Sequence, residues 1–125
     1  MIGLGRLPAR LVRGSRLLEA ALVLAATRVV LRASPRRLTA SLLRRASVAH
    51  SHGSFGPGQP ACDVAADVDR VAPLVPGSTC LGRALTGWFM LRRRGVASVV
   101  RVGAHRADSG VRMHAWLEVG GAALL

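Results

Sequence analysis

The chain has 125 residues and is 50% hydrophobic, so its length suits one domain, two at most, and its apolar content excludes a disordered chain. A formal net charge of +12 would suit nucleic-acid binding, but all 18 basic residues are arginines scattered among Leu and Val without stacking aromatic residues, so direct nucleic-acid binding is not predicted. Two cysteines cannot make a disulfide framework, which predicts a reducing, cytoplasmic environment.

Residues 1–50 are predicted to form an arginine-rich helical segment. Apolar residues recur every three or four positions from Ala9 to Arg32, which predicts one helix. Ser34–Pro35 interrupts the pattern and restarts it, with Ser34 as the N-cap of a second helix that ends near Ala49. The inner face of this second helix is predicted to hold three leucines, Leu38, Leu42 and Leu43.

The apolar part of the first helix is too short to cross a membrane. Its longest uncharged run is Ala20–Thr27, far below the ~18 apolar residues that a spanning helix needs. A cleaved signal peptide is disfavoured because arginines crowd the region where cleavage would occur. We therefore expect a soluble amphipathic helix, with contact to an anionic membrane surface as the less favoured alternative.

Residues 51–60 are predicted to be a linker rich in Gly, Pro, Ser and His. His50 and His52 have no third ligand nearby, so no metal site is predicted. A short helix is predicted over Asp63–Val75, and Cys62 beside it is not expected to be catalytic.

Residues 61–125 are predicted to form an α+β core. The pattern predicts a helix over Leu81–Arg94, with Ser78 or Thr79 as its N-cap and Gly95 as a left-handed residue at its end. A strand from Val96, a loop over Gly103–Gly110, a strand over Val111–Val119, a turn at Gly120–Gly121 and a strand from Ala122 follow. The inner face of the helix is predicted to hold Leu81, Ala84, Leu85, Trp88, Phe89 and Leu91. A helix followed by antiparallel strands is an α+β order.

Cys80 and His114 are the candidate catalytic residues. Cys80 falls in the first turn of a predicted helix, where backbone N–H groups favour a thiolate and are available to an oxyanion. Its alternative role is packing, since cysteine is often buried. His114 shares one face of a strand with Trp116 and Glu118, and either face of that strand is a candidate for the core. A cysteine and a histidine that meet in space form a nucleophile and its base.

Four segments resemble a known family in their order and content: Thr79–Leu85, Leu91–Val96, Val102–Gly103 and His114–Val119. Their Cys-Leu-x-Arg-Ala and His-Ala-Trp-x-Glu patterns look like the transglutaminase-like, papain-type domain of lasso-peptide biosynthesis B proteins, over about residues 76–121. The resemblance implies a papain/transglutaminase-like core in which the nucleophile helix packs on a small antiparallel sheet. It implies Cys80 as the nucleophile and His114 as the general base and then the general acid.

The resemblance also implies the reaction and its partners. It implies a bacterial leader peptidase that cuts the leader from a lasso-peptide precursor and cooperates with a macrolactam-forming cyclase. The predicted helical character of residues 1–50 argues against a leader-recognition domain within this chain, so a separate leader-recognition protein is implied. No cofactor is expected, and no glycine-rich phosphate-binding motif is present in the sequence.

The sequence departs from the family pattern at the third catalytic residue. In the family this residue is an Asp about a dozen positions after the histidine. With Gly120–Gly121 as a two-residue turn, Trp116 pairs with Leu125, and the position facing His114 is 127. We therefore expect this Asp beyond residue 125. Glu118 lies about 13 Å from His114 along an extended strand and is a poor substitute. Asp108 is an unsupported replacement.

The sequence therefore predicts a cysteine peptidase that removes the leader from a lasso-peptide precursor. Two alternatives stay open: a non-catalytic basic adaptor that delivers precursor peptide to a partner enzyme, and another Cys-His acyl transferase of the transglutaminase-like type. Replacing Cys80 by Ala separates the peptidase from the adaptor, because only the peptidase would lose leader release.

Overall fold

A three-stranded antiparallel sheet with helices packed against it forms the computed structural model, which describes residues 9–33, 36–47 and 58–125. The helices are α1 (Ala9–Ala33), α2 (Arg36–Ala46), α3 (Gln59–Val71) and α4 (Cys80–Arg93), with a 3₁₀ turn at Ala72–Leu74. The strands are β1 (Val99–Ala107), β2 (Gly110–Val119) and β3 (Ala122–Ala123), in the order β1-β2-β3. The predicted α+β class is confirmed.

The two arginine-rich helices have nearly the predicted bounds, but the second helix, α2, packs differently from the prediction. The predicted helix over Ala9–Arg32 is confirmed as α1. Leu43 of α2 packs against the core, but Leu38 is 53% exposed, so its place on an inner face was wrong. The cause is that α2 meets the molecule through its last turn, where Ala46 is fully buried. Several predicted features lie outside the described residues: Ser34, Pro35, Ala49, His50 and His52.

The helix predicted over Asp63–Val75 is present as α3 but starts four residues earlier and ends four residues earlier. Pro60 occupies the first turn of α3, where its missing N–H costs no hydrogen bond. Pro73 has no N–H to continue the α-helical ladder, and the chain tightens there into the 3₁₀ turn.

The loop predicted over Gly103–Gly110 was wrong, because most of it is strand. β1 runs to Ala107 and pairs there with Gly110, so Asp108 and Ser109 alone make the turn. Gly110 has φ of 120°, which suits a glycine next to a tight turn. The second hairpin was predicted correctly: Val119 pairs with Ala122 across Gly120–Gly121.

The core lies between α1, α3, α4 and one face of the sheet. Leu24 of α1 is fully buried together with residues of α3, α4 and the sheet, so the N-terminal helix shares one core with the rest. The largest fully buried side chains are Leu24, Val64, Val68, Thr86, Met90, Leu91, Val100 and Leu117. Burial of each large aliphatic side chain stabilises the fold by about 1.5–3 kcal/mol.

Ion pairs join α1 to the helices packed against it. Arg94, directly after α4, donates from Nη2 to Glu19 Oε2 at 2.6 Å, and Arg93 lies 3.1 Å from the same carboxylate. Arg16 on α1 lies 3.3 Å from Asp63 and 3.1 Å from Asp67 on α3. Of the described helices, none is both long enough and apolar enough to span a bilayer.

Candidate active site

Cys80 is the first residue of α4 and is half-buried against the core. Thr79 is the N-cap, and its side-chain oxygen accepts a hydrogen bond from the Gly82 N–H at 3.1 Å. The first turn of α4 contains no acidic residue. The thiol therefore lies beside backbone N–H groups that α4 leaves without helical partners, which favours a negative charge at this point.

The side of α4 that carries Cys80 faces the sheet. Cys80, Ala84, Gly87 and Leu91 follow one another at spacings of four, three and four residues, which places them along one stripe of the helix. At Gly87 this stripe meets the sheet so closely that an added Cβ would lie 2.7 Å from Cδ2 of Leu117.

His114 lies on β2, where it pairs with Gly103 of β1 and is exposed. Its imidazole stacks on Trp116, with ring centroids 6.0 Å apart and an interplanar angle of 21°. Trp116 Nε1 donates to Glu118 Oε1 at 2.9 Å, and Arg101 Nε donates to Glu118 Oε2 at 3.2 Å. The hydrogen bond from Trp116 is the main cause that lowers the pKa of Glu118; burial opposes it, and the hydrogen bond and charge of Arg101 add to the lowering. This row of side chains holds the indole beside His114.

The sequence left open which face of β2 is the core, and the structure settles it. Ala115, Leu117 and Val119 are buried, and His114 lies on the opposite face with Trp116. In the described part of the chain, no hydrogen bond joins the Cys80 thiol to the His114 imidazole. On the core face, burial ends sharply between Ala115, which is 4% exposed, and Met113, which is 71% exposed. His114 therefore stands at the margin of the buried part of the sheet.

Four other polar or reactive residues lie apart from Cys80 and His114 or make no polar contact with them. Cys62 is exposed on α3, His105 is exposed on β1, and Asp108 is exposed in the turn. Arg83 is half-buried and its Nε is buried without a hydrogen-bond partner. Among the described residues, no group of three or more His, Cys, Asp or Glu side chains is arranged to hold a metal ion.

Trp88 was expected to face inward, and it lies half-buried beside an apolar groove. This groove has a volume of about 310 Å³ and lies between α1, α2 and α4. Phe89, also predicted on the inner face of α4, is 43% exposed at the same groove. The guanidinium of Arg92 lies over the indole of Trp88, 5.3 Å from the ring centroid. Arg92 therefore packs on the aromatic ring as well as lying near the C-terminal end of the helix dipole.

Arg28 lies near the start of α4, close to Cys80, and the sequence analysis did not identify it. Its guanidinium lies over Gly77, where an added Cβ would be 2.8 Å from Arg28 Nη2. Gly77 has φ of 76° and lies three residues before Cys80. The contact joins residues far apart in the chain, so no local pattern indicates it. The only local signal is the four-residue spacing of Arg28 and Arg32, which puts both on one side of α1.

The family comparison covers nearly the whole chain. A family model described as Transglutaminase-like superfamily matches residues 6–125, which include the N-terminal helices as well as α4 and the sheet. No curated protein and no solved structure matches the chain significantly. Because the family match spans well over half of the sequence, the chain belongs to the transglutaminase-like superfamily.

Proposed function

We propose that this chain is a cysteine peptidase that removes the leader from a lasso-peptide precursor, with Cys80 as the nucleophile and His114 as the general base and acid. Its membership of the transglutaminase-like superfamily supports cysteine-dependent acyl chemistry. The observation that carries the residue assignment is the position of Cys80 at the capped N-terminus of α4. The leader-peptide substrate rests on the resemblance of the Cys80 and His114 segments to lasso-peptide B proteins.

Along α4 and β2, Cys80 and His114 lie at a similar level, but the imidazole is on the face of the sheet away from α4. The C-terminal ends of α4 and β2 lie at the same end of the sheet. This follows because β1 starts shortly after α4, and the first residue of β1 pairs with Glu118. From Gly87, Cys80 lies seven residues back, or about 10.5 Å along a helix. From Leu117, His114 lies three residues back, or about 10 Å along a strand. Since Gly87 contacts Leu117, the two candidates lie at a similar level along the helix and the strand.

The proposed reaction uses the two side chains in sequence. The imidazole takes the thiol proton, and the sulfur attacks the scissile carbonyl carbon to give a tetrahedral oxyanion near the N–H groups at the start of α4. The C–N bond then breaks, and the imidazolium donates its proton to the leaving amine. Water adds to the thioester, releasing the carboxylate and restoring the thiol.

The proposal requires the imidazole to reach the thiol across the margin of the sheet. In the structure His114 is exposed on the face away from α4, and the burial of the core face ends at the adjacent Ala115. Hydrogen bonds between catalytic groups are often long or poorly aligned without substrate and tighten only when it binds. For this contact to form, the stacking on Trp116 would have to open, and β2 would also have to turn locally so that residue 114 faces α4.

Leader release tests the reaction, and the second cysteine provides a matched control. The chain is incubated with a lasso-peptide precursor and a leader-recognition protein, and the products are identified by mass spectrometry. We expect Cys80→Ala to abolish release and His114→Ala to slow it by at least about a hundredfold, because general-base catalysis contributes 10²–10⁴. Cys62→Ala, at an exposed position on α3, should retain full activity. Release that survives in Cys80→Ala would contradict the proposal.

A test without substrate addresses the pairing itself. Iodoacetamide should alkylate Cys80 faster than Cys62 near neutral pH, because a base that accepts the thiol proton makes the sulfur a better nucleophile. His114→Ala should remove this advantage, and His105→Ala, at an exposed position on β1, should leave it unchanged. Equal rates for the two cysteines in the unsubstituted chain would argue against an activated thiol.

The basic-adaptor function is the second candidate, and two observations favour it. Cys80 and His114 are not joined by a hydrogen bond in the described residues, while several arginines have no acidic partner there. An adaptor would bind the precursor without cleaving it, and Cys80→Ala would leave that binding and the overall pathway unchanged.

A further inference from the structure

We infer that Arg28 and Arg32 form a binding site for a carboxylate of an extended peptide, at the N-terminal end of α4. The inference rests on the proposed function for the identity of the peptide as substrate. It adds a recognition element that the catalytic assignment does not contain: an acidic side chain with aliphatic neighbours, bound on the α1 side of α4.

The two arginines line a crevice between α1 and the segment that precedes α4. Its volume is about 400 Å³, and its walls come from α1 and from Leu74, Val75 and Pro76. A smaller crevice of about 60 Å³ also contains both arginines and extends to Ser78, Thr79 and Gly82. The pair therefore lies between the segment before α4 and the first turn of α4 itself.

No acidic group of the protein neutralises this pair. All six acidic residues lie in the described part of the chain, and none forms an ion pair with Arg28 or Arg32. Four of the six are engaged elsewhere: Asp63 and Asp67 by Arg16, Glu19 by Arg93 and Arg94, and Glu118 by Arg101. The other two, Asp69 and Asp108, are exposed and form no ion pair with any described side chain. The first turn of α4 also lacks an acid.

The position of Arg28 suits recognition better than a freely moving surface arginine would. Its side chain is half-buried, and its guanidinium is held over Gly77, in space that a side chain at 77 would fill. Part of the side-chain entropy that a binding arginine normally loses is therefore already lost in the fold. A guanidinium matches a carboxylate with two parallel hydrogen bonds.

The rest of the crevice indicates what surrounds the carboxylate. Leu74 is 78% exposed and Val29 is 64% exposed, and both belong to its walls. Exposed aliphatic side chains beside two unpaired cations suit an acidic residue flanked by aliphatic residues. An extended peptide satisfies both requirements, because successive side chains point in opposite directions.

The width of α4 gives an estimate of how far the acidic residue of a substrate would stand from Cys80. Gly82 faces α1, with Leu24 Cδ1 3.9 Å from its Cβ position, whereas Cys80 lies on the sheet side of α4. A peptide that crosses the end of α4 from one side to the other spans roughly 10 Å, the diameter of a helix. At about 3.3 Å per residue this is about three residues. The acidic residue would therefore stand about three residues from the scissile carbonyl.

Peptide binding tests the site independently of catalysis. The full chain carrying Cys80→Ala is titrated against a fluorescein-labelled nonapeptide whose single Glu is flanked by Leu and Val, and against its Gln counterpart, with anisotropy as the readout. We expect the Glu peptide to bind more tightly by about tenfold or more, because hydrogen bonds to charged groups are the stronger ones. Arg28→Gln with Arg32→Gln should remove this preference.

Matched variants separate a site from the overall charge. The double substitution Arg36→Gln with Arg37→Gln also removes two positive charges, but from exposed positions on α2. It should keep the preference for the Glu peptide within about twofold. Since Arg28 packs over Gly77, circular dichroism checks each variant's fold, and Arg32→Gln alone, at an exposed position, should still weaken the preference. No preference in the starting protein, or equal losses in both arginine pairs, would overturn the inference.

Two further arms separate this carboxylate site from a membrane-binding surface and from the proposed catalysis. In the first arm, vesicles of phosphatidylserine and phosphatidylcholine replace the peptide. If vesicle binding depends on Arg28 and Arg32 while peptide binding does not, the inference is overturned in favour of a membrane-binding surface. A glutamate preference that depends on these arginines, together with no leader release, would leave the carboxylate site standing while the proposed function fails. Leader release without the preference would give the reverse result.

Discussion

The indole of Trp116 lies across Gly103 on the neighbouring strand, and a Cβ atom at 103 would come within 3.0 Å of Trp116 Cζ3. The same indole stacks on His114 and donates a hydrogen bond to Glu118. Its position between those two residues thus depends on the absence of a side chain at 103.

We therefore expect Gly103→Ala to displace the indole with little effect on the fold. The displacement would break the hydrogen bond to Glu118, which contributes about 1 kcal/mol. In ¹H–¹⁵N spectra the indole N–H resonance of Trp116 should shift, and the imidazole protons of His114 should lose the shift caused by the stacked ring. Ala104→Ser, at the exposed adjacent position, should leave both signals in place. Unchanged His114 signals in Gly103→Ala would contradict this account of the contact.

The close approach of α4 to the sheet gives a second prediction. A Cβ at Gly87 would lie 2.7 Å from Leu117 Cδ2 and 2.8 Å from Leu125 Cδ1, both too short for carbon atoms. Gly87→Ala should therefore destabilise the protein by about 1–3 kcal/mol, although alanine favours a helix more than glycine does. Urea unfolding measures the change.

Gly14 on α1 provides the matched control for that substitution. Nothing lies within 4 Å of the Cβ position at Gly14, so Gly14→Ala should stabilise the protein by about 0.5–1 kcal/mol. Opposite signs for the two substitutions would identify packing against the sheet as the cause. A stabilising effect at both positions would show that α4 can move away from the sheet without cost.

Local sequence signals predicted the elements whose cause is local. Thr79 caps α4 as one of the two residues expected to do so, and Gly95 has the predicted left-handed conformation with φ of 71°. The turn at Gly120–Gly121 fixes the register of β3, because both glycines have positive φ. Gly103 misled the prediction since a glycine in a sequence suggests a loop, whereas here it makes room for a ring from the next strand.

The candidate site was only partly accessible from sequence for the same reason. The alternation of β2 showed that His114 and Trp116 share a face, but not which face packs on α4. That choice depends on Leu117 meeting Gly87, a contact between residues of different elements. The position of Arg28 over Gly77 likewise depends on how α1 packs, which no local pattern specifies.

The ion pair between α1 and the end of α4 predicts how stability depends on pH. The hydrogen bond from Arg94, followed by the charges of Arg94 and Arg93, lowers the pKa of Glu19 from its ordinary value of 4.5, although burial opposes this. A carboxyl with a lower pKa in the folded state contributes stability above its unfolded pKa and loses it as the pH falls. Glu19→Gln should therefore reduce stability at pH 7, and this deficit should shrink as the pH falls below 4.5.

Asp67 gives the opposite dependence and so serves as the internal comparison. Burial raises its pKa above the ordinary value of 3.8, although the charge of Arg16 opposes the shift. The folded state then binds a proton at Asp67 more readily than the unfolded state does. Relative to Asp67→Asn, the unsubstituted protein should therefore gain stability as the pH falls through this raised pKa toward the ordinary value of 3.8. Urea unfolding of both variants between pH 7 and pH 3 should show stability differences that change in opposite directions, and a parallel course would contradict both assignments.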